Sequence, residues 1–207
     1  MNLLSDHFRG LLTFTGRERR QPFWLWILIV YVGQFIVQTI VMIPVMSGFS
    51  ESFAPLTERA QADPTYFDQH PEALQQIMTQ TMMPMMQTMM ALAAILSLVL
   101  AALILAAVVR RLHDSDQSGW WAAPYFALQI AMPVLYASIL PQFFSVFANI
   151  RPDTPPDQVN AAMGPMFGSV MALSGLGMIA FVIMIVLIVF LCQPTTLGPN
   201  RFGEEPA

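Results

Sequence analysis

The sequence predicts an all-α polytopic membrane protein: a bundle of four transmembrane helices with a short N-terminal interfacial helix and two extramembrane outer loops. Three observations carry that prediction. Hydrophobic residues make up 56% of the 207 and charged residues only 11%, whereas an average soluble domain carries about 25% charged residues. Four apolar runs are each long enough to cross a hydrocarbon core, which takes about 20 helical residues because every backbone group there must be satisfied within its own helix. The nine lysine-or-arginine positions, all of them arginine, fall outside these runs.

Residues 1–22 read as an amphipathic segment. Leu3, Leu4, Phe8, Leu11 and Leu12 recur at helical spacing opposite Asp6 and Arg9, as in a short helix lying in the membrane interface. The first span covers about 23–46. It begins too late and runs too long for a signal peptide, and it lacks a small-residue cleavage site, so it is expected to remain as a transmembrane helix. Pro22 suits its opening turn; Trp24, Trp26 and Tyr31 stand where headgroup-level anchors stand.

The uncharged stretch from Ala73 to Val109 is longer than one crossing requires. The second span is therefore placed at about 86–109, with Pro71 and Glu72 opening an amphipathic helix before it and Pro84 kinking or breaking the join. Arg110 and Arg111 stop it. The third span, about 120–147, opens with Ser118 as N-cap and a pair of tryptophans, and Pro124, Pro133 and Pro141 are expected to kink it. The fourth covers about 166–192. Before it, Thr154-Pro155-Pro156-Asp157 starts a short outer helix and Gly164-Pro165 breaks it. Gly168, Ser169, Ala172 and Gly175 form a small-residue face suited to close helix packing. The spans form one domain, 23–192, followed by a tail, 193–207.

Orientation follows from the arginines. Arg9, Arg17, Arg19, Arg20, Arg110, Arg111 and Arg201 lie on one side of the spans, against Arg59 and Arg151 on the other. The richer side is expected to be cytoplasmic, with both termini. The outer loops, about 47–85 and 148–165, carry Glu51, Glu58, Asp63, Asp68, Glu72, Asp153 and Asp157; their acidic, proline-rich character predicts partial order at most.

Several function classes find no support. A net charge of −4 and a pI near 5.2 argue against a nucleic-acid partner. The single cysteine, Cys192, excludes an intrachain disulfide and reads as a packing residue at the inner end of the last helix. Three scattered histidines and one cysteine give no zinc set. His113 lacks a nucleophile, second histidine or carboxylate pair at a useful spacing, so it reads as a satisfied interfacial histidine and not as a general base. No catalytic residue, cofactor or metal is expected. No internal repeat is found, which weakens an inverted-repeat transporter reading. Sixteen methionines are unusual. Met78, Met82, Met83, Met85, Met86, Met89 and Met90 gather at the second span, and Met42, Met46, Met163, Met166 and Met171 are expected at the same level. Adaptable packing explains them; an outer Cu(I) site is the sharper alternative.

Three polar motifs fall on the arginine-rich side. They are Phe14-x-Gly16-Arg17-x-x-Arg20-x-x-Phe23-Trp24, then Arg110-Arg111-Leu112-His113-Asp114-x-x-x-Ser118-Gly119-Trp120-Trp121, and finally Gly198-Pro199-Asn200-Arg201-Phe202-Gly203. In kind and order they resemble the bacterial inner-membrane family catalogued as domain of unknown function 805. The resemblance implies a small multi-helix inner-membrane protein and carries no activity; the long acidic outer loops depart from it. Read physically, Asp114 is expected to pair with Arg110 or Arg111 along its helix and to tie that helix to Arg17 or Arg20. A cluster of Arg17, Arg20, Arg110, Arg111, His113, Asp114 and Arg201 then stands open to two readings, a structural latch or a phosphate-headgroup site.

These readings predict a non-enzymatic integral membrane protein. It is expected to work through interactions of its cytoplasmic Arg/Asp cluster with anionic membrane lipids, other membrane proteins or further copies of itself. The alternative is a small transporter or channel component, although no span contains an ionisable residue; Gln34, Gln38, Gln87 and Gln129 are the strongly polar side chains near membrane depth.

Overall fold

The computed structural model describes residues 3–150 and 154–206. Arg151 and Asp153, assigned above to an outer loop, lie outside the described residues, as do the side chains of Leu3, Asp68 and Met78. The chain is all-α, with no strand among the described residues. In order come α1 (Leu3–Arg9), α2 (Arg20–Ala62), α3 (Tyr66–Gln69), α4 (Pro71–Gln76), a π-helical stretch (Ile77–Met82), α5 (Met83–Asp114), a 3-10 turn (Gly119–Ala122), α6 (Ala123–Asn149) and α7 (Pro156–Leu191). Four of these helices are long and apolar enough to cross a membrane, as the composition predicts.

The helices outrun the predicted spans. α2 continues to Ala62, so the first half of the expected loop 47–85 is helical. Its acidic character conceals a run of good helix formers, Glu58 to Ala62. Hydroxyls also bond back to the turn before, Ser52 to the Gly48 carbonyl at 2.8 Å and Thr57 to that of Phe53 at 3.1 Å. Pro84 does not break the join. The chain passes from α4 into α5 through the π-helical stretch, whose wider turn lies just where the missing proline N–H would disturb an α-helix. Nor does Gly164-Pro165 end a helix: α7 runs through it. Glycine is the residue that best tolerates a following proline, since it has no Cβ for the ring to strike. α6 likewise continues through Pro133 and Pro141.

The described chain comprises two compact units. Unit 1 is Met1–Val37, Ala94–Met132 and Gly175–Ala207. Its core joins Phe23, Trp26 and Val30 of α2 to Leu100, Ala101, Ile104, Ala107, Val108 and Leu112 of α5, with Ala122, Phe126, Leu187 and Leu191. Each set recurs every three or four residues, the stripe of one helical face. Because lipid is as apolar as leucine, such a core is held by fit, and Ala101, Ala106 and Ala107 are small enough to bring backbones close. Trp26 is a correction to the sequence reading. It is no headgroup anchor: the ring is 1% exposed and its Nε1 donates to the Leu103 carbonyl at 3.1 Å.

Unit 2 is Gln38–Ala93 and Pro133–Ser174. Its buried apolar residues are fewer, Phe144, Met166 and Leu173. After α2 the chain turns on Asp63, whose carboxylate accepts from the Thr65 hydroxyl at 2.7 Å and its backbone N–H at 2.9 Å. Those two bonds, the hydroxyl first, hold the Asp63 carboxyl below its ordinary pKa. The methionines at the start of α5 are partly buried, as packing residues are, while Met46 and Met171 are exposed. The small-residue face of α7 does not pack within the described chain: a Cβ added at Gly168 or Gly175 meets nothing.

Candidate functional site

The polar motifs of unit 1 converge on the last turn of α5. A carboxylate at a helix C-terminus faces the negative end of the helix dipole, and a buried one also loses its hydration. Asp114 is in both situations, 0% exposed, and so needs strong compensation. It receives two guanidiniums. Arg17 Nε donates to Oδ1 at 3.2 Å, and Arg111 Nη1, one helical turn back, donates to Oδ2. The Thr195 hydroxyl adds a 2.7 Å bond to Oδ2.

The same two arginines fasten the C-terminal tail. Arg17 Nη1 donates to the Gly198 carbonyl at 2.6 Å and Nη2 to that of Thr196 at 2.5 Å. Arg111 Nε donates to the Leu191 carbonyl at 3.0 Å and Nη2 to that of Gln193, satisfying acceptors that the end of α7 leaves open. Thr196 returns two bonds to the Asp114 carbonyl, from its backbone N–H at 3.0 Å and its hydroxyl at 2.9 Å. Asn200 Nδ2 donates to the His113 carbonyl at 2.9 Å. The expected tie between Asp114 and Arg17 is present, and it extends to the tail.

Arg110 points elsewhere. Its Nε and Nη2 meet Glu18 Oε2 at 3.0 and 2.8 Å. Its Nη1 donates to the carbonyls of Gly10 and Thr13 at 2.7 and 2.8 Å, just past the end of α1. The other Glu18 oxygen lies 2.7 Å from His7 Nε2, and the His7 ring stacks on Trp26 with centroids 4.8 Å apart. Both His7 and Glu18 are buried. The sequence reading missed this second cluster. Its signal was the lone acid in the run Arg17-Glu18-Arg19-Arg20, which no solvated stretch of arginines explains; His7 gave no signal beyond its place on the inner face of α1. Thr195 and Thr196 were missed as well.

His113 is satisfied, as expected. Nδ1 lies 3.3 Å from the Gly16 carbonyl, and the ring stacks on Phe202 at 3.9 Å with planes 5° apart. Gly119 explains the Ser-Gly-Trp-Trp sequence, since a Cβ there would stand 2.7 Å from Val109 Cγ1 and 3.2 Å from His113 Nε2. Arg201 lies at the exposed edge, its Nε 3.2 Å from Asp116 Oδ1 and its guanidinium 4.7 Å above the Phe202 ring. Cys192 is exposed, so the packing role assigned to it is corrected.

Of the seven predicted residues, Arg17, Arg111 and Asp114 come together, with Arg110, His113 and Arg201 each engaged beside them. Arg20 does not join: it is exposed and makes no ion pair among the described residues. Arg9 and Arg19 share that condition. Among the described residues no group of three or more His, Cys, Asp or Glu is placed to hold a metal. Gln129 donates to the Ser97 carbonyl at 3.3 Å, but its buried Oε1 has no partner among the described residues.

Two classes of arginine therefore lie in unit 1, one spent on internal acceptors and one facing outward. A family model described as "Protein of unknown function (DUF805)" matches residues 11–204, which include all three motifs. No curated protein and no solved structure matches the chain.

Proposed function

The chain belongs to the DUF805 family of proteins of unknown function, and because that family brings no activity with it we propose, from the arginines themselves, a non-enzymatic multi-pass protein of the bacterial inner membrane. In this reading both termini are cytoplasmic, and the protein engages anionic lipid or the anionic face of a membrane partner through Arg9, Arg19 and Arg20. The observation that supports it is the division of labour in unit 1. Arg17 and Arg111 share Asp114, Arg110 pairs with Glu18, and all three also donate to backbone carbonyls, whereas Arg9, Arg19 and Arg20 are exposed and without ion pairs among the described residues. Each free cation near an anionic leaflet contributes about 1 kcal/mol of attraction. The Asp114 and Glu18 clusters then serve as latches that hold the helix ends and the tail.

The test is the lipid that accompanies the protein through gentle extraction. Enrichment of anionic lipid over the bulk membrane, lost when Arg9, Arg19 and Arg20 are all changed to Gln, supports the reading. Lipid of bulk composition in both proteins contradicts it. The orientation has its own test, because Cys192 is the single cysteine and is exposed: an impermeant maleimide should label it in inverted vesicles and not in intact cells.

A second reading, passage of a small neutral solute, is favoured by one observation, the unpartnered Gln129 Oε1. Solute flux in liposomes above that of empty vesicles supports it, and a flux unchanged by Gln129→Leu removes that support.

A further inference from the structure

We infer that a pocket beside α1, wholly within unit 1, takes the phosphodiester headgroup of one singly charged anionic lipid, with Arg9 and Arg19 as its anion ligands. The inference deepens the reading above and rests on it. The pocket has a volume of 590 Å³, inside the range of about 300–1,000 Å³ usual for small-ligand sites.

Its charges decide what fits. Arg9, Arg17, Arg19 and Arg110 line it together with Asp6 and Glu18. Arg17 is held by Asp114 and the tail carbonyls, and Arg110 is balanced by Glu18. These two arginines are parts of the wall and not free ligands. A Cβ at Gly10 would stand 3.3 Å from Arg110 Nη1, which shows how closely that guanidinium is seated. What remains is Arg9 and Arg19, the two arginines of the lining without an ion pair, with the Asp6 carboxylate beside them. Two guanidiniums suit the paired oxygens of a phosphodiester. The Asp6 carboxylate disfavours a second negative charge and accepts a hydrogen bond from a headgroup hydroxyl, so a monoanionic diester is preferred to a dianionic phosphomonoester.

The same segment accounts for the rest of such a molecule. α1 lays Asp6 and Arg9 along the pocket, while Leu4 and Phe8 are 48% and 57% exposed and Leu12, just beyond, is 87% exposed. Apolar side chains on one face and arginine on another describe a helix seated at headgroup depth, where hydrocarbon and phosphate meet. A soluble phosphodiester shares the headgroup's chemistry but would leave those side chains uncovered.

The test uses the full chain in neutral detergent, with phosphatidylglycerol binding followed by native mass spectrometry in wild type, Arg9→Gln/Arg19→Gln and Arg20→Gln. All three positions are exposed, so the variants should unfold at the wild-type temperature. The double variant should bind at least about tenfold more weakly, the scale of losing charge-assisted hydrogen bonds, while Arg20→Gln, outside the pocket, loses no more than the roughly fivefold that one cation's general attraction contributes. Phosphatidic acid should bind more weakly than phosphatidylglycerol, and soluble glycerophosphoglycerol should not displace it. An equal loss in Arg20→Gln and the double variant overturns the pocket while leaving general attraction to anionic lipid intact. Absence of binding in wild type overturns both. Displacement by the soluble diester at lipid-like concentrations overturns the assignment to a lipid.

Discussion

Asp114 and Asp116 stand two residues apart, and each meets an arginine from far along the chain, yet their surroundings differ in every respect that sets the worth of an ion pair. Asp114 is sealed from solvent, accepts from Arg17, Arg111 and Thr195, and lies under the tail. Asp116 is at the edge, its pair with Arg201 leaving the side chains 49% and 60% exposed. Breaking a buried pair strands the remaining charge, whereas an exposed pair exchanges protein contacts for water at little cost. The same two residue types therefore make a buried, multiply bonded pair in one place and a surface contact in the other.

Substitutions should rank accordingly. Asp114→Asn leaves Arg17 and Arg111 facing each other without an anion, and a loss of about 3–5 kcal/mol is expected in reversible unfolding. A loss below about 1 kcal/mol would erase the contrast. Glu18→Gln removes the anion of the second latch but keeps its shape and one acceptor. A cost of about 1.5–3 kcal/mol is expected, together with faster hydrogen exchange confined to α1 and the segment that follows it. Thr195→Val removes a single hydroxyl from Asp114 and should cost about 0.5–1.5 kcal/mol. Arg201→Gln should cost less than about 1 kcal/mol, and less still in high salt; if it proves as damaging as Asp114→Asn, exposure is not what separates the two pairs.

The contrast also marks what could be read beforehand. Uncharged length and arginine position placed the four membrane-competent helices, and the spacing from Arg111 to Asp114 together with the basic run at Arg17 pointed to their pairing. Helix ends were harder to place. The tract after Met46 looked like loop because its composition is acidic and proline-rich, but helix formation there depends on local propensity and on hydroxyls returned to the preceding turn. Gly164-Pro165 reads as a stop because proline usually clashes with the residue before it, a clash that glycine relieves. The His7–Glu18–Arg110 cluster was concealed because its members come from three separate stretches of chain. Residue type alone points Trp26 to the interface, whereas its spacing from Phe23 and Val30 puts it on the buried face.

The partition of the arginines is the claim on which the account depends, and one comparison tests it: Arg17→Gln against Arg19→Gln, each purified with native lipid and heated while retained lipid is followed by native mass spectrometry. The account predicts that Arg17→Gln unfolds at a clearly lower temperature but, while folded, keeps its anionic lipid, and that Arg19→Gln unfolds with the wild type but has lost lipid. An Arg17→Gln protein of wild-type stability, or an Arg19→Gln protein that is destabilised and fully lipid-bound, would contradict it.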